Sequence, residues 1–443
     1  MTRKQAPTAA SLPLDVHLYA TRVAELSEDR KNRVVLTWTD AARERWGIGG
    51  RPLSLALPIS QKPIVGGNGA VAFTEGLLPE GSLRIATADL YGVPSDDALA
   101  ILEHIGAECA GAVQVVPADT SPPEQAVATK PVPDDEVAAM LRGIDAARLG
   151  NDNQPHGVRL SLAGAQPKIL LARVDGQWCR PVNGAPSTHI IKPESRYKEY
   201  VGLPENEAFC MALARHAGVP TANSELVTFD GITALAVERF DRRAPKNGAA
   251  YPPLRRHMED MCSAWGLDVY DQDAKYNQKE NRLARVAETL RTHSVDPQRD
   301  IHRLAQIAVL NVVIGNADAH GRNFSVLIDP RSGVHLAPAY DLVSTVLYPM
   351  EPKAAMTYAG KQRIKEITLE HLVHEIASWS LSKQLARSMV ADQLDRIESS
   401  IALATTEVPD DQGRVASFVQ SRLNAFTITS GSVLPGNTCA AGH

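Results

Sequence analysis

Three side chains in the C-terminal half of the chain could share one polyanion. Asp318 and Asn323 stand five positions apart in a polar loop, and Asp341 follows a short hairpin pattern. A carboxylate and an amide offer hard oxygen ligands to a divalent cation, while a second carboxylate can take the proton of an attacking hydroxyl. Phosphoryl transfer needs that division: a cation bridges the triphosphate oxygens and a separate base orients the nucleophile. Asp, Asn and Gly also populate ordinary turns, so any one of the three could be a turn residue. Three at this spacing, each adjoining an apolar element, point instead to Asp318 as catalytic base and to Asn323 and Asp341 as metal ligands. Asn316-Ala317-Asp318 stands where ordinary protein kinases carry His-Arg-Asp, so the loop is not of the standard eukaryotic type.

These groups need elements to hold them. An apolar helix is predicted over residues 300–314, broken at Gly315. A strand is predicted at 324–328, a turn at 329–333 and a second strand at 334–337. Upstream, Lys192 closes a predicted strand at 189–192, where a lysine can reach α- and β-phosphates. Glu207, expected in the first turn of the next helix, is placed to pair with it. Each has an ordinary reading too: a solvated strand-end lysine, and an acid favoured at a helix N-terminus. The turn from Ser161 through Ala163, Gly164, Ala165, Gln166, Pro167 and Lys168 could cradle phosphates through its backbone N–H groups. Its single glycine makes it neither a Walker A loop nor a GxGxxG loop. Glu238, Arg239 and Phe240 leave the last strand of this half, where backbone groups could meet an adenine edge and Phe240 could pack nearby or serve the core.

The bulk numbers exclude several classes. At 443 residues the chain is too long for one compact core and fits two or three domains. Lys+Arg 46 against Asp+Glu 51 gives a net charge of -5, which argues against wrapping nucleic acid as the main task. Cys109, Cys179, Cys210, Cys262 and Cys439 form no CxxC pair, so neither a zinc site nor a disulfide framework is suggested. No apolar run reads as a signal peptide or a membrane span, and a cytoplasmic location is expected.

Residues 14–117 read as a small α+β subdomain, with strands predicted at 34–38, 52–58 and 111–116 and a helix at 97–105. Residues 118–150 read as a Pro/Asp/Thr-rich linker and a short helix from 134. Residues 151–240 are strand-rich, including a hairpin across Asp230-Gly231, and form the expected ATP-binding sheet. Residues 241–427 turn helical, with helices predicted at 259–265, 282–292, 300–314, 369–378 and 382–403, and 428–443 reads as a disordered tail. A strand-rich half followed by a helix-rich half is a two-lobe, α+β plan.

Together the segments at 159–168, 188–192, 236–243, 259–262, 314–325 and 336–341 resemble the HipA family, the kinase toxins of bacterial HipA–HipB toxin–antitoxin pairs. Residues 76–80 and 105–117 resemble that family's N-terminal subdomain. The resemblance implies a two-lobed HipA-type, protein-kinase-like fold: a strand-rich N-terminal lobe with an extra N-terminal subdomain, and an all-helical C-terminal lobe. It implies ATP and Mg²⁺ as cofactors, with Asp318 as base, Asn323 and Asp341 on the metal, and Lys192 on the phosphates. It also places Ala163 to Lys168 over the triphosphate, Glu238 to Phe240 at adenine, and His320 near the nucleotide or facing solvent. Ser161 corresponds to a serine that family members phosphorylate on themselves; a phosphate there, bringing about -1.5 to -2 charges, would repel nucleotide. A plain hydroxyl contact is the other reading of Ser161. Pro167 departs from the family, whose well-studied members carry Glu there.

The implied function is a serine/threonine kinase toxin that phosphorylates a translation protein such as an aminoacyl-tRNA synthetase. The implied partner is a HipB-like helix-turn-helix antitoxin, with DNA met only through it and no membrane. A related kinase for a lipid or small molecule is the first alternative; no basic or amphipathic membrane-facing segment supports it. A non-catalytic partner of a DNA-bound repressor is the second, and intact Asp318, Asn323 and Asp341 speak against it.

Overall fold

The computed structural model describes residues 12–19, 21–120, 122, 129–147, 168–182, 184–195, 197–243, 251–267, 282–330, 333–409 and 413–431. The N-terminal subdomain is a five-stranded antiparallel sheet in the order β4-β3-β2-β1-β5. Its strands are Leu14–Leu18 (β1), Thr21–Glu28 (β2), Val34–Trp38 (β3), Ile64–Val65 (β4) and Val113–Pro117 (β5). Helices Asp40–Trp46 (α1), Gly67–Gly76 (α2), Gly81–Tyr91 (α3) and Ala98–Ile105 (α4) complete it. Leu14, Val16, Leu26, Leu36 and Trp38 from the sheet bury against Leu99, Ile101 and Leu102 of α4 in a core of their own.

The stretch 52–58 is not a strand. Leu53, Leu55 and Leu57 are inside, but so are Pro52 and Ser54, and local turns satisfy the backbone. Leu57 N–H donates to Ser54 O, and Ala56 N–H donates to Ser54 Oγ. Leu55 N–H crosses to the Glu259 carboxylate at 2.6 Å. Alternating residue types without a ladder partner produced a strand pattern and no strand.

The second sheet has six strands in the order β10-β11-β9-β7-β8-β6. These are Thr129–Pro131 (β6), Ile169–Val174 (β7), Gln177–Pro181 (β8), His189–Pro193 (β9), Ser224–Phe229 (β10) and Ile232–Glu238 (β11). Part of the expected linker is therefore an edge strand, β6, which leads into the helix Asp134–Ala147 (α5). The β10–β11 hairpin turns at Asp230 and Gly231, both with positive φ (44° and 79°), as a two-residue turn requires. The helix Leu203–His216 (α6) follows β9, is buried along most of its length and joins the large helical core.

Beyond β11 lie Arg242–Arg243 (β12), Leu254–Arg255 (β13), Met258–Asp260 (β14) and a four-residue helix, Met261–Ala264 (α7). The helix expected at 259–265 is thus split. Met258, Glu259 and Asp260 pair as a strand with the hairpin that follows the Asp318 loop, and Asp260 caps the short helix through Ser263 N–H. The main helices are Arg282–His293 (α8), Pro297–Ile314 (α9), Leu369–Ala377 (α10), Lys383–Glu407 (α11) and Arg414–Gly431 (α12). Ser325–Asp329 (β15) and Gly333–Leu336 (β16) form the expected hairpin, joined by β14 into a three-stranded sheet. Lys353–Tyr358 (β17) and Lys361–Arg363 (β18) form a second small one, so the helix-dominated lobe is not purely helical.

The architecture is α+β and two-lobed, with a kinase-like division of strands and helices and an added N-terminal subdomain. Among the described residues no helix is long and apolar enough to cross a membrane. Cys109, Cys179, Cys210 and Cys262 are buried free thiols; residues 428–431 of the tail expected at 428–443 belong to the last helix, and Cys439 and the rest of that tail lie outside the described residues.

Candidate active site

The helix α9 sets the site. Asp296 caps its start and Pro297 opens it, and every residue from Leu304 to Ile314 is buried. It stops at Gly315, where φ is 73° and a side chain would run into Val346 and Phe418. The chain is thrown abruptly from core into cleft at Asn316.

Asn316 organises the loop that carries Asp318. Its Nδ2 donates to Asn311 Oδ1 (3.0 Å) and to Asp341 O (3.4 Å), and its Oδ1 accepts from Asp318 N–H at 3.1 Å. Thr345 Oγ1 accepts from Ala317 N–H at 2.7 Å and donates to Gly315 O at 3.2 Å. These contacts fix the loop up to Asp318 and tie it to the segments carrying Asp341 and Thr345. Sequence reading assigned Asn316 and Thr345 no role; their signal was only that Asn316 stands two before the predicted base and Thr345 four after Asp341.

Asp341 leaves the hairpin with φ 57°, a left-handed conformation that aspartate tolerates better than most residues and that is often kept at functional sites. Its Oδ2 accepts from Asn323 Nδ2 at 3.3 Å, and its Oδ1 accepts from Lys192 Nζ at 2.7 Å. Lys192 Nζ also donates to both Glu207 oxygens, at 2.8 and 3.0 Å. Glu207 is the fifth residue of α6, which begins at Leu203, and so lies just past the first turn in which it was expected.

Burial would lower the Lys192 ammonium, but Asp341 and Glu207 outweigh it and hold the group above its ordinary value. Burial would likewise raise Asp341, and the Lys192 charge and hydrogen bond bring it down to about 2. Lys168 is buried in the same cleft; burial first, and the charge of Lys192 second, push it down to about 8.

Asp318, His320, Asn323, Asp341, Lys168, Lys192 and Glu207 all line one cleft of about 650 Å³. The structure thus brings together the predicted base, both predicted metal ligands and the lysine–glutamate pair. His320 is buried and not solvent-facing; its N–H donates to Asp318 O at 2.8 Å. Ser161, Ala163, Gly164, Ala165, Gln166 and Pro167 lie outside the described residues.

The segment at Glu238 to Phe240 is placed differently from the expectation in detail. The N–H groups of Glu238 and Arg239 already donate to Asn223 O (2.8 Å) and Thr188 O (2.9 Å). The Arg239 side chain turns into a buried ionic network with Glu108 and Asp241. Phe240 packs on Tyr340, with ring centroids 5.5 Å apart, and Val237 and Tyr340 face the cleft. A base held here would meet these apolar surfaces rather than the two occupied N–H groups.

The donor set suits a small hard cation. Asp341 supplies carboxylate oxygens, and Asn323, with its amide turned about its last bond, supplies a carbonyl oxygen at the same spot. Among the described residues no group of three or more His, Cys, Asp or Glu forms a self-sufficient metal cage. A cation completing its shell with phosphate oxygens and water needs none.

Comparison with known proteins matches two stretches of the chain. The family described as HipA N-terminal domain matches residues 14–116, and the one described as HipA-like C-terminal domain matches 160–401. Y4mE of Sinorhizobium fredii is 34% identical over 415 residues, covering 90% of this chain and 94% of its own. The serine/threonine-protein kinase toxin HipA of Shewanella oneidensis is 31% identical over 414 residues, 90% of each chain. A solved complex of Shewanella oneidensis HipA with HipB and operator DNA contains a chain that superposes with TM-score 0.74 at 28% identity. The match covers 94% of this chain and 96% of that one.

Proposed function

This chain belongs to the HipA family and is a serine/threonine protein kinase, and on that footing we propose that it is the toxin of a type II toxin–antitoxin module. Its phosphate donor is Mg²⁺–ATP and its acceptor a translation protein, an aminoacyl-tRNA synthetase such as the glutamyl enzyme. Autophosphorylation at Ser161 turns it off, and a HipB-type helix-turn-helix partner brings it to DNA. The partner is supported by the HipB-bound relative; the acceptor and Ser161 rest on the sequence resemblance.

One observation carries the chemistry. Lys192 is bonded at once to Glu207 and Asp341, in the cleft that Asp318 and Asn323 also line. Glu207 holds the ammonium where it can meet α- and β-phosphate oxygens. Asp341 and Asn323 would hold Mg²⁺, which when bound supplies neutralising charge across the β- and γ-phosphates. Asp318 accepts the proton as the serine or threonine oxygen bonds to the γ-phosphorus and the bond to ADP breaks. Lys168, whose proton is loosened by burial, binds best as a cation once a phosphate faces it.

The test is expression of wild type and Asp318→Ala side by side. Growth arrest and new phosphoproteins are expected from wild type, and neither from the variant, with an unchanged unfolding midpoint. Equal arrest from both proteins overturns the kinase mechanism.

A further inference from the structure

The N-terminal subdomain forms one wall of the cleft: Leu53, Phe73, Gly76, Leu77 and Glu80 line it. Glu80 is the one charged residue among them, and its carboxylate pairs with the Arg322 guanidinium. Arg322 sits in the catalytic loop between Asp318 and Asn323 and is 8% exposed. Its other end is held as well, since its carbonyl accepts from Tyr340 Oη at 2.6 Å, next to Asp341. The residue between base and metal ligand is therefore gripped by the subdomain on one side and by the Asp341 segment on the other.

A second line of contact runs parallel to the ion pair. Helix α2 meets α7 at Gly76, where a Cβ would come within 2.5 Å of Ser263 Oγ. On its far side α7 meets the catalytic loop at Gly321, where a Cβ would lie 2.7 Å from Cys262 Sγ. Neither junction leaves room for slip. Glu259, just ahead of α7, takes the Leu55 N–H of the subdomain at 2.6 Å.

We propose that the N-terminal subdomain positions the catalytic loop, with Glu80 as the positioning residue that fixes Arg322 and so the offset between Asp318 and Asn323. The inference deepens the kinase reading and rests on it. With Glu80 neutral, Arg322 loses one of the two carboxylates, Asp260 and Glu80, that offset its burial, and its guanidinium shifts toward Asp260 or toward water. Its backbone belongs to the loop, so the loop moves with it, and a shift of about 1 Å is enough to cost about 10²-fold in rate.

The experiment uses the full chain with Mg²⁺ and radiolabelled ATP. Hydrolysis kinetics, thermal unfolding and hydrogen exchange of residues 316–324 are measured in Glu80→Gln, Glu80→Asp, Arg322→Gln and the double variant. Glu80→Gln is expected to lower kcat by about 10- to 100-fold and to leave the KM for ATP within about threefold. Exchange of 316–324 should rise while the unfolding midpoint holds, and Glu80→Asp should recover part of kcat. The double variant should be no slower than Arg322→Gln alone, because the pair acts as a unit. Unchanged kcat and loop protection, multiplicative losses in the double variant, or a loss that tracks the unfolding midpoint would each overturn the proposal. Asp318→Ala, run alongside, separates the two readings. If it turns over ATP normally, the kinase assignment of the loop fails; if it is dead while Glu80→Gln is fully active, only the positioning role fails.

Discussion

Two clusters of buried charge sit on either side of β11, and they are built to opposite ends. In the cleft, Lys192 bridges Glu207 and Asp341, and the Asp341 side chain remains 37% exposed toward the cavity. Where the N-terminal subdomain meets the end of β11, Glu108 and Asp241 are surrounded by Arg239, Arg242 and Arg255. Glu108 Oε1 alone accepts from Ser187 N–H and Oγ, Arg239 Nη1 and Arg242 Nη2, at 2.9 to 3.0 Å. Asp241 adds the Gly111 N–H at 2.7 Å. Every carboxylate there is saturated with donors, and the arginines are buried or nearly so. Burial of charge therefore does not mark the catalytic centre. A charge with a free side toward a cavity does, because only that side can exchange a protein partner for a ligand.

The largest effect should come from the open cluster, and mainly on rate. Asp341→Asn keeps the shape and removes the charge, so turnover is expected to fall about 10³-fold, with a smaller stability loss than at Glu108 because Lys192 keeps Glu207. The closed cluster should answer the other way. Glu108→Gln leaves three arginines short of a counter-charge and should lower the unfolding free energy by about 3 kcal/mol, with the folded fraction still active. The same carboxylate provides an acid signature. Despite burial, the surrounding arginines hold it down to about 2, below an unfolded value of about 4. Its contribution is present above pH 4 and is lost as pH falls through 2. The stability gap between wild type and Glu108→Gln should then close between pH 4 and 2 in acid unfolding curves. A reversed pattern, with Asp341→Asn unfolding and Glu108→Gln merely slow, would break the comparison.

The open cluster was the more legible of the two in sequence. Asp318, Asn323 and Asp341 are separated by one loop and one hairpin, so local spacing places them, and Gly315 and the Asp329–Gly333 turn announce the breaks. Lys192 and Glu207 were readable as a strand-end lysine followed by a helix, and they meet as that order suggests. The closed cluster was illegible because its partners are far apart: Glu108 and Arg239 are separated by 131 positions. Arg239 was read as part of the segment expected to meet adenine, since no local pattern tells a buried guanidinium from a solvated one. Glu80 and Arg322, 242 positions apart, were hidden for the same reason. The false strand at 52–58 shows the converse, where clear local alternation was overruled by turns and by one distant acceptor, Glu259.

Glu259 offers the smallest and finest test, because it lies on the wall shared by subdomain and cleft and belongs to neither cluster. It is buried, with no arginine bonded to it among the described residues, and burial pushes its carboxyl up to about 8 against the pull of the Leu55 N–H. The sign is opposite to that of Glu108. With the folded value raised above an unfolded value of about 4, its contribution is fully present below pH 4 and is lost as pH rises through 8. Wild type should accordingly lose stability between pH 5 and 8, and Glu259→Gln, which keeps an oxygen for Leu55 and cannot ionise, should flatten that slope. Equilibrium unfolding at pH 5 should find the two alike, and at pH 8 the variant should be ahead. Identical pH slopes would mean that the carboxylate finds a compensating charge in the folded protein. The wall would then be a third saturated cluster, not a neutral joint between the subdomain and the catalytic lobe.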